Sequence, residues 1–358
     1  MSLALTELNA FTQQELKPKT VDVIFKQSPL LTRLLARNRI AFPGGTLIQQ
    51  PLTYAELNGD AYAKGETFNT AFVKTETAVQ VYMKYYYVNV TLYGVDDVLN
   101  RGRNTAFSQA EVKMANASMK MAKLLSQAIY RDGQTAAMGT VLSTTKHLDG
   151  LLAWIDDGSS NGSYTTSANQ DKAFAAVGGI TRADLFPSAL TFSTTTTPNS
   201  ALQGLNAFVN RAYGTFSLNT IQDAFGAAWY GNDYPDMMVG TQTGWNKTWQ
   251  ALQPNQRYYG PGEVDVAKVG FKSFRFNGVA DVVVDKYMPQ DGTNGMMLGL
   301  NTNYIQLHIT DNPKWQFGFT GFKDSRNDPD LAGQFLFAGN MLVPNPRTCF
   351  KLVGTALL

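Results

Sequence analysis

The chain has 358 residues, room for two domains of about 150 residues or one large domain with extensions, and carries a formal charge of +2. Charged residues make up 16%, against roughly 25% in a typical globular chain, while 44% are apolar and 12% aromatic. These values exclude a sequence-specific DNA binder working through a basic field, and one cysteine with two histidines excludes a disulfide framework and a standard structural zinc site. A surface so poor in charge suits a subunit that buries its outside against copies of itself. Abundant Gly, Asn, Thr and Gln offer the plainer account of a neutral polar globule. Residues 1–30 carry Glu7, Glu15, Lys17, Lys19 and Asp22 with no basic start before an apolar run, so no signal peptide is read. No apolar run of about 18 residues occurs, so no membrane span is expected.

In chain order, residues 20–38 place Val21, Ile24, Phe25, Leu30, Leu31, Leu34 and Leu35 at near-helical spacing. Pro29 interrupts them, which predicts a loose amphipathic arm of one or two short helices seeking a partner surface; the same period fits a helix packed on its own domain. Residues 46–54 then alternate as a strand. From 77 to 93, Val79, Val81, Met83, Tyr85 and Tyr87 share one face, and Tyr82, Tyr86, Val88, Val90 and Leu92 the other. Such a strand would reach about 55 Å, far beyond an ordinary one, and with the polar Gly59 and Gly65 segment between them the two strands predict a long projecting hairpin. Both strands lying inside a larger sheet is the alternative.

Ser108 and Glu111 stand at capping-box spacing ahead of a helix that Gly133 closes. Inside it Val112, Ala115, Met119, Ala122 and Ile129 form one apolar stripe and Met114, Met121, Leu125 and Ala128 a second, so contact on two sides is expected. Beyond it the pattern is mixed, with exposed loops at 157–169 and 193–200, helices near 201–213 and 218–229, strands at 271–276 and 279–284, and a final hairpin of 334–343 and 347–353. No internal repeat is present.

No metalloprotease, nucleophile-elbow or phosphate-loop motif occurs. His308 lies in an alternating run and reads as a packed residue, His147 as a loop residue. Asp96-Asp97 and Asp156-Asp157 are adjacent pairs that suit solvated turns or caps better than catalysis. Lys26, Arg33, Arg37 and Arg39 form a basic cluster that could meet an acidic partner or nucleic acid, although a solvated helix face is the simpler reading. No catalytic residue, cofactor or metal site is assigned, and the chain is read as a non-enzyme.

This order of parts resembles the major capsid proteins of tailed bacteriophages, which have the Hong Kong 97-type fold. The runs Phe25-Lys26-Gln27-Ser28-Pro29-Leu30-Leu31, Gly94-Val95-Asp96-Asp97 and Asn100-Arg101-Gly102-Arg103 also look like segments of such proteins. The resemblance implies an α+β chain with an N-terminal arm at 1–38, an extended β-hairpin loop at 39–95, a peripheral domain with its spine helix at 96–145, an axial domain at 146–298 and a return to the peripheral domain at 299–358. It implies self-assembly as pentamers and hexamers into an icosahedral head, a virion structural protein built in the host bacterial cytoplasm. Double-stranded DNA would be enclosed and touched non-specifically, with scaffolding, portal and decoration proteins as further partners and no membrane. Contacts between subunits are expected from Phe25, Leu31 and Leu34 of the arm and from Tyr54, Tyr62, Phe68, Phe72, Tyr82 and Tyr86 of the hairpin. Lys64 and Lys74 lie where some relatives crosslink, but no carboxylate and asparagine can be matched to them, so no crosslink is expected. Two alternatives stand beside this: an encapsulin-like compartment, and a β-rich carbohydrate-binding protein suggested by Trp154, Trp229, Trp245, Trp249 and Trp315.

Overall fold

The computed structural model describes residues 28–53, 57–93, 109–130, 146–156, 176–181, 206–210, 217–252, 274–288, 295–324 and 331–355. Helix α1 (Pro29–Arg37) opens the described chain. Pro29 begins this helix instead of interrupting it, because at the first helical position its missing N–H costs nothing. The Ser28 hydroxyl caps it, accepting from the Leu31 N–H at 3.3 Å. Leu30, Leu31 and Leu34 are buried in the chain's own core, so the expectation of an arm that needs a foreign surface is corrected for this part of it. Asn38 ends the helix and its carbonyl accepts from Leu307, which starts β1 (Arg39–Phe42) parallel to β12 (Gln306–Thr310).

The predicted long hairpin is divided. Strands β2 (Leu47–Thr53) and β3 (Glu76–Tyr82) pair antiparallel over seven residues, from Leu47 opposite Tyr82 to Thr53 opposite Glu76. At Met83 the strand breaks, and β4 (Lys84–Leu92) leaves the hairpin to pair with β15 (Leu331–Leu342) in a larger sheet. The buried face changes with it: Val79 and Val81 point inward before the break, Lys84 and Val90 after it. A single 17-residue strand with two fixed faces is therefore the wrong picture, since a break shifts which alternate residues meet the core. The short hairpin of β5 (Ala176–Val177) and β6 (Ile180–Thr181) lies against β3, with the Gly178 carbonyl accepting from Gln80 N at 2.8 Å. Gly178 has φ +58°, and a Cβ there would stand 2.4 Å from Val79 Cγ1, so both conformation and space require glycine.

The helix expected after Ser108 forms as α2 (Gln109–Ile129), about 32 Å long at 1.5 Å per residue. Ala117, Met121, Leu125 and Ala128 face β4 and β15 and are buried. The other stripe is covered only toward its C-terminal end: Ile129 is buried, while Val112 and Ala115 are exposed. The capping residues Ser108 and Gly133 lie outside the described residues.

Two six-stranded sheets carry the rest. In the first, β15 pairs with β4, β12, β13 (Gln316–Phe319) and β14 (Lys323–Asp324), and β12 pairs with β1. The second runs β7 (Phe208–Asn210), β16 (Phe350–Thr355), β11 (Gly295–Leu300), β8 (Met237–Gly240), β10 (Ala280–Val284), β9 (Phe274–Phe276). A one-turn helix, α3 (Leu151–Trp154), buries all four of its residues in the central core. Helices α4 (Leu218–Ala227) and α5 (Gln242–Leu252) pack on the second sheet. The expected C-terminal hairpin does not form, because a turn at Pro346–Thr348 carries the chain from β15 in one sheet to β16 in the other. Within the helix expected near 201–213, Phe208–Asn210 form strand β7 instead.

Candidate inter-subunit surface

Beyond Thr53 and before Glu76 the described chain forms no strand, yet it is braced locally. Asn58 Nδ2 donates to the Ala71 carbonyl at 3.1 Å, Glu66 Oε2 accepts from Ala63 N at 2.7 Å, and the Tyr62 and Phe68 rings meet edge-on at 5.1 Å. Leu57 is 76% exposed, Tyr62 69%, Phe68 68% and Phe72 93%. Four large apolar side chains in one exposed tip form the kind of patch that marks a protein contact. The outer face of the first sheet continues the theme with exposed Tyr85 and Tyr87, and Tyr85 meets Trp315 edge-on at 5.6 Å.

The root of this loop is held by a buried polar knot that sequence reasoning missed. Asn340 Nδ2 donates to the Tyr82 carbonyl at 2.6 Å and to Asp149 Oδ2 at 2.8 Å, while its Oδ1 accepts from Asp149 N at 3.0 Å. Lys84 is buried beside it. Burial pushes the Asp149 carboxyl up to about 6, opposed by the Lys84 ammonium and the Asn340 amide. The same burial lowers Lys84, opposed by Asp149. One amide thus ties the last residue before the strand break to the segment leading into α3 and to β15.

Of the proposed contact residues, Tyr62, Phe68 and Phe72 stand on the exposed tip and Tyr82 is part-exposed at its root. Leu31 and Leu34 are corrected, because they are spent on the interior. Tyr86 is corrected too: its hydroxyl accepts from Leu148 N at 2.8 Å and its ring packs on Phe337, so it faces its own subunit. Phe25 and Tyr54 lie outside the described residues, as does Asp157. Asp156 is not a solvated turn residue; it is fully buried and accepts an ion-paired hydrogen bond from Lys351 Nζ at 2.9 Å. Arg33 is ion-paired with Asp236, and Arg39 donates to Gln316 at 2.6 Å. His308 is buried within β12, and burial pushes the Cys349 thiol up to about 12, leaving it protonated and inert. The five tryptophans are divided: Trp154 is core, Trp315 sits on the first sheet, and Trp229, Trp245 and Trp249 belong to the helical layer of the second. No helix among the described residues is long and apolar enough to cross a membrane.

No protein-family model matches the sequence, and no curated protein does. Solved structures do. The chain is similar to a subunit of the capsid of cyanophage A-1(L), with a TM-score of 0.69 at 12% identity over 98% of this chain and 99% of that one. The fold is the Hong Kong 97 type. The capsid of a native GTA particle gives 0.60 at 12% identity over 99% and 100% of the two chains. An encapsulin of Synechococcus elongatus gives 0.56 at 9% identity over 99% and 97%. Identities this low speak for the fold alone.

Proposed function

We propose that this chain is the major capsid protein of a tailed bacteriophage. Copies assemble as pentamers and hexamers into an icosahedral head in the cytoplasm of a bacterial host, enclosing double-stranded DNA. The observation that carries this reading is end-to-end correspondence with the cyanophage capsid subunit, which leaves neither chain an unmatched domain. The exposed aromatic tip supports it, because an apolar patch at the end of the β2–β3 hairpin is placed to meet a second copy. A scaffolding protein, a portal and decoration proteins belong to the same reading as partners. We read the chain as purely structural, with His308 and Cys349 serving as packing residues.

An encapsulin-like compartment is the second reading, favoured by the Synechococcus match. Negative-stain electron microscopy of the high-mass fraction from cytoplasmic expression tests the assembly itself. Uniform closed shells, or rings of five and six, are expected. A dispersed monomer that persists after co-expression with the genes flanking its own would overturn the proposal. Shells that fill with a co-expressed enzyme and never with DNA would move it to the compartment.

A further inference from the structure

The basic cluster of α1 does not lie on an open helix face. Arg33 and Arg37 join Arg275 of β9, with Asp236, Asp281 and Tyr234, around a cleft of roughly 460 Å³. The tight turn at Asn277 and Gly278, with φ of 49° and 72°, folds β9 back on β10 and sets Arg275 directly opposite Asp281. Both carboxylates are already engaged. Asp236 accepts from Thr302 N at 2.7 Å and Thr302 Oγ1 at 2.6 Å as well as from Arg33, and Asp281 accepts from Arg275 Nε at 2.8 Å. The donors are only partly engaged: among the described residues Arg37 makes no hydrogen bond or ion pair, Arg275 is bonded through Nε alone, and Arg33 donates to Asp236 while its Nε has no partner.

Three guanidinium groups against two carboxylates leave one net positive charge in the cleft. The exposed guanidinium edges of Arg37 and Arg275 converge on the cleft with this charge behind them, and they suit an anion that brings its own oxygens. A carboxylate satisfies one guanidinium edge, whereas a phosphate offers enough oxygens to serve several converging ones. We infer that the cleft between α1 and the β9–β10 hairpin is an anion site for a phosphate group, either a phosphodiester of nucleic acid or free phosphate. This inference stands apart from shell assembly, since every residue it uses lies in one subunit.

The test uses the full chain with two probes, inorganic phosphate by calorimetry and a fluorescein-labelled DNA duplex by anisotropy across a salt series. Arg37→Ala and Arg275→Ala are solvent-side changes, and Arg39→Ala, whose guanidinium is held by Gln316 outside the cleft, is the control for net charge. We expect the double variant to weaken the occupying probe about tenfold or more, and to reduce the duplex salt slope by about one per lost contact, with Arg39→Ala near wild type. Arg37→Lys should recover only part of the loss. Loss of duplex binding assigns the phosphodiester; loss of inorganic phosphate binding with duplex binding unchanged assigns the free anion. Equal binding by wild type and double variant, equal loss in Arg39→Ala, or acetate binding tighter than phosphate would each overturn the site.

Discussion

Lys351 and Asp156 show how much one buried pair can decide. Both side chains are fully buried and 2.9 Å apart, joining β16 to the end of the α3 segment across 195 residues of sequence. Removing one member breaks a buried ion pair and leaves the other charge in the interior without it, so Lys351→Met should lower stability by roughly 3–5 kcal/mol. Asp156→Leu combined with Lys351→Met should recover most of that, and urea denaturation of both variants checks it; equal losses would mean that packing, not charge, sets the cost. Asp149 answers to pH. Its folded value of about 6 exceeds the ordinary 3.8, so between these limits the folded state holds a proton that the unfolded state has released. Stability from this group therefore falls as pH rises from about 4 to 6 and is level beyond, a change on the order of 3 kcal/mol. Asp149→Asn should flatten that decline in denaturation midpoints measured at several pH values; an unchanged slope would show that another group titrates there. Neither residue was legible beforehand, because Asp149 reads as a loop acid and Lys351 as one charge in a strand, and their partners lie 191 and 195 positions away.

Among the elements, the strand break at Met83 has the largest consequence. It makes residues 84–92 part of the larger sheet and leaves the exposed tip at residues 57–75, beyond a hairpin that packs on the core through Val79 and Val81, as the outlying part, which narrows the surface available to a neighbour. Phe68 and Phe72 are the test of that surface. Phe68→Ser with Phe72→Ser removes two exposed rings and should leave the stability of the subunit within about 0.5 kcal/mol, because both are largely exposed and among the described residues the ring contact they make is the Tyr62 edge contact of Phe68. Closed particles counted by electron microscopy should nevertheless fall sharply; wild-type numbers would remove the tip from the contact. Helix α2 was legible in outline from its period, and the stripe through Met121 and Leu125 is the one the chain itself covers. The open N-terminal part of the other stripe, at Val112, is a further apolar surface on the same chain.

At the scale of the molecule, rings of five and six require the proposed contact of the aromatic tip to be head-to-tail, the tip of one copy meeting a different surface of the next. Such contacts build rings when the rotation closes and open chains when it does not. The rings of five and six expected by electron microscopy are the closed outcome, and they should appear with a steep dependence on protein concentration, since each copy both gives and receives a contact. The low share of charge fits this behaviour: 16% charged residues leave fewer hydrated groups to strip when surfaces meet.

By itself the sequence determined the mixed α+β class and the presence of helices α2 and α4 and of strands β2, β3 and β4, because strand alternation and helical period are local and survive at any tertiary arrangement. It also carried the exposed aromatic residues of the loop tip, set in a polar, glycine-bearing segment where no core is near. Only the tertiary structure decided which leucines of α1 are interior, that β15 and β16 belong to different sheets, and that Arg275 joins Arg33 and Arg37. Each of these depends on contacts between residues tens to hundreds of positions apart, and period reports only which face is apolar, never what covers it.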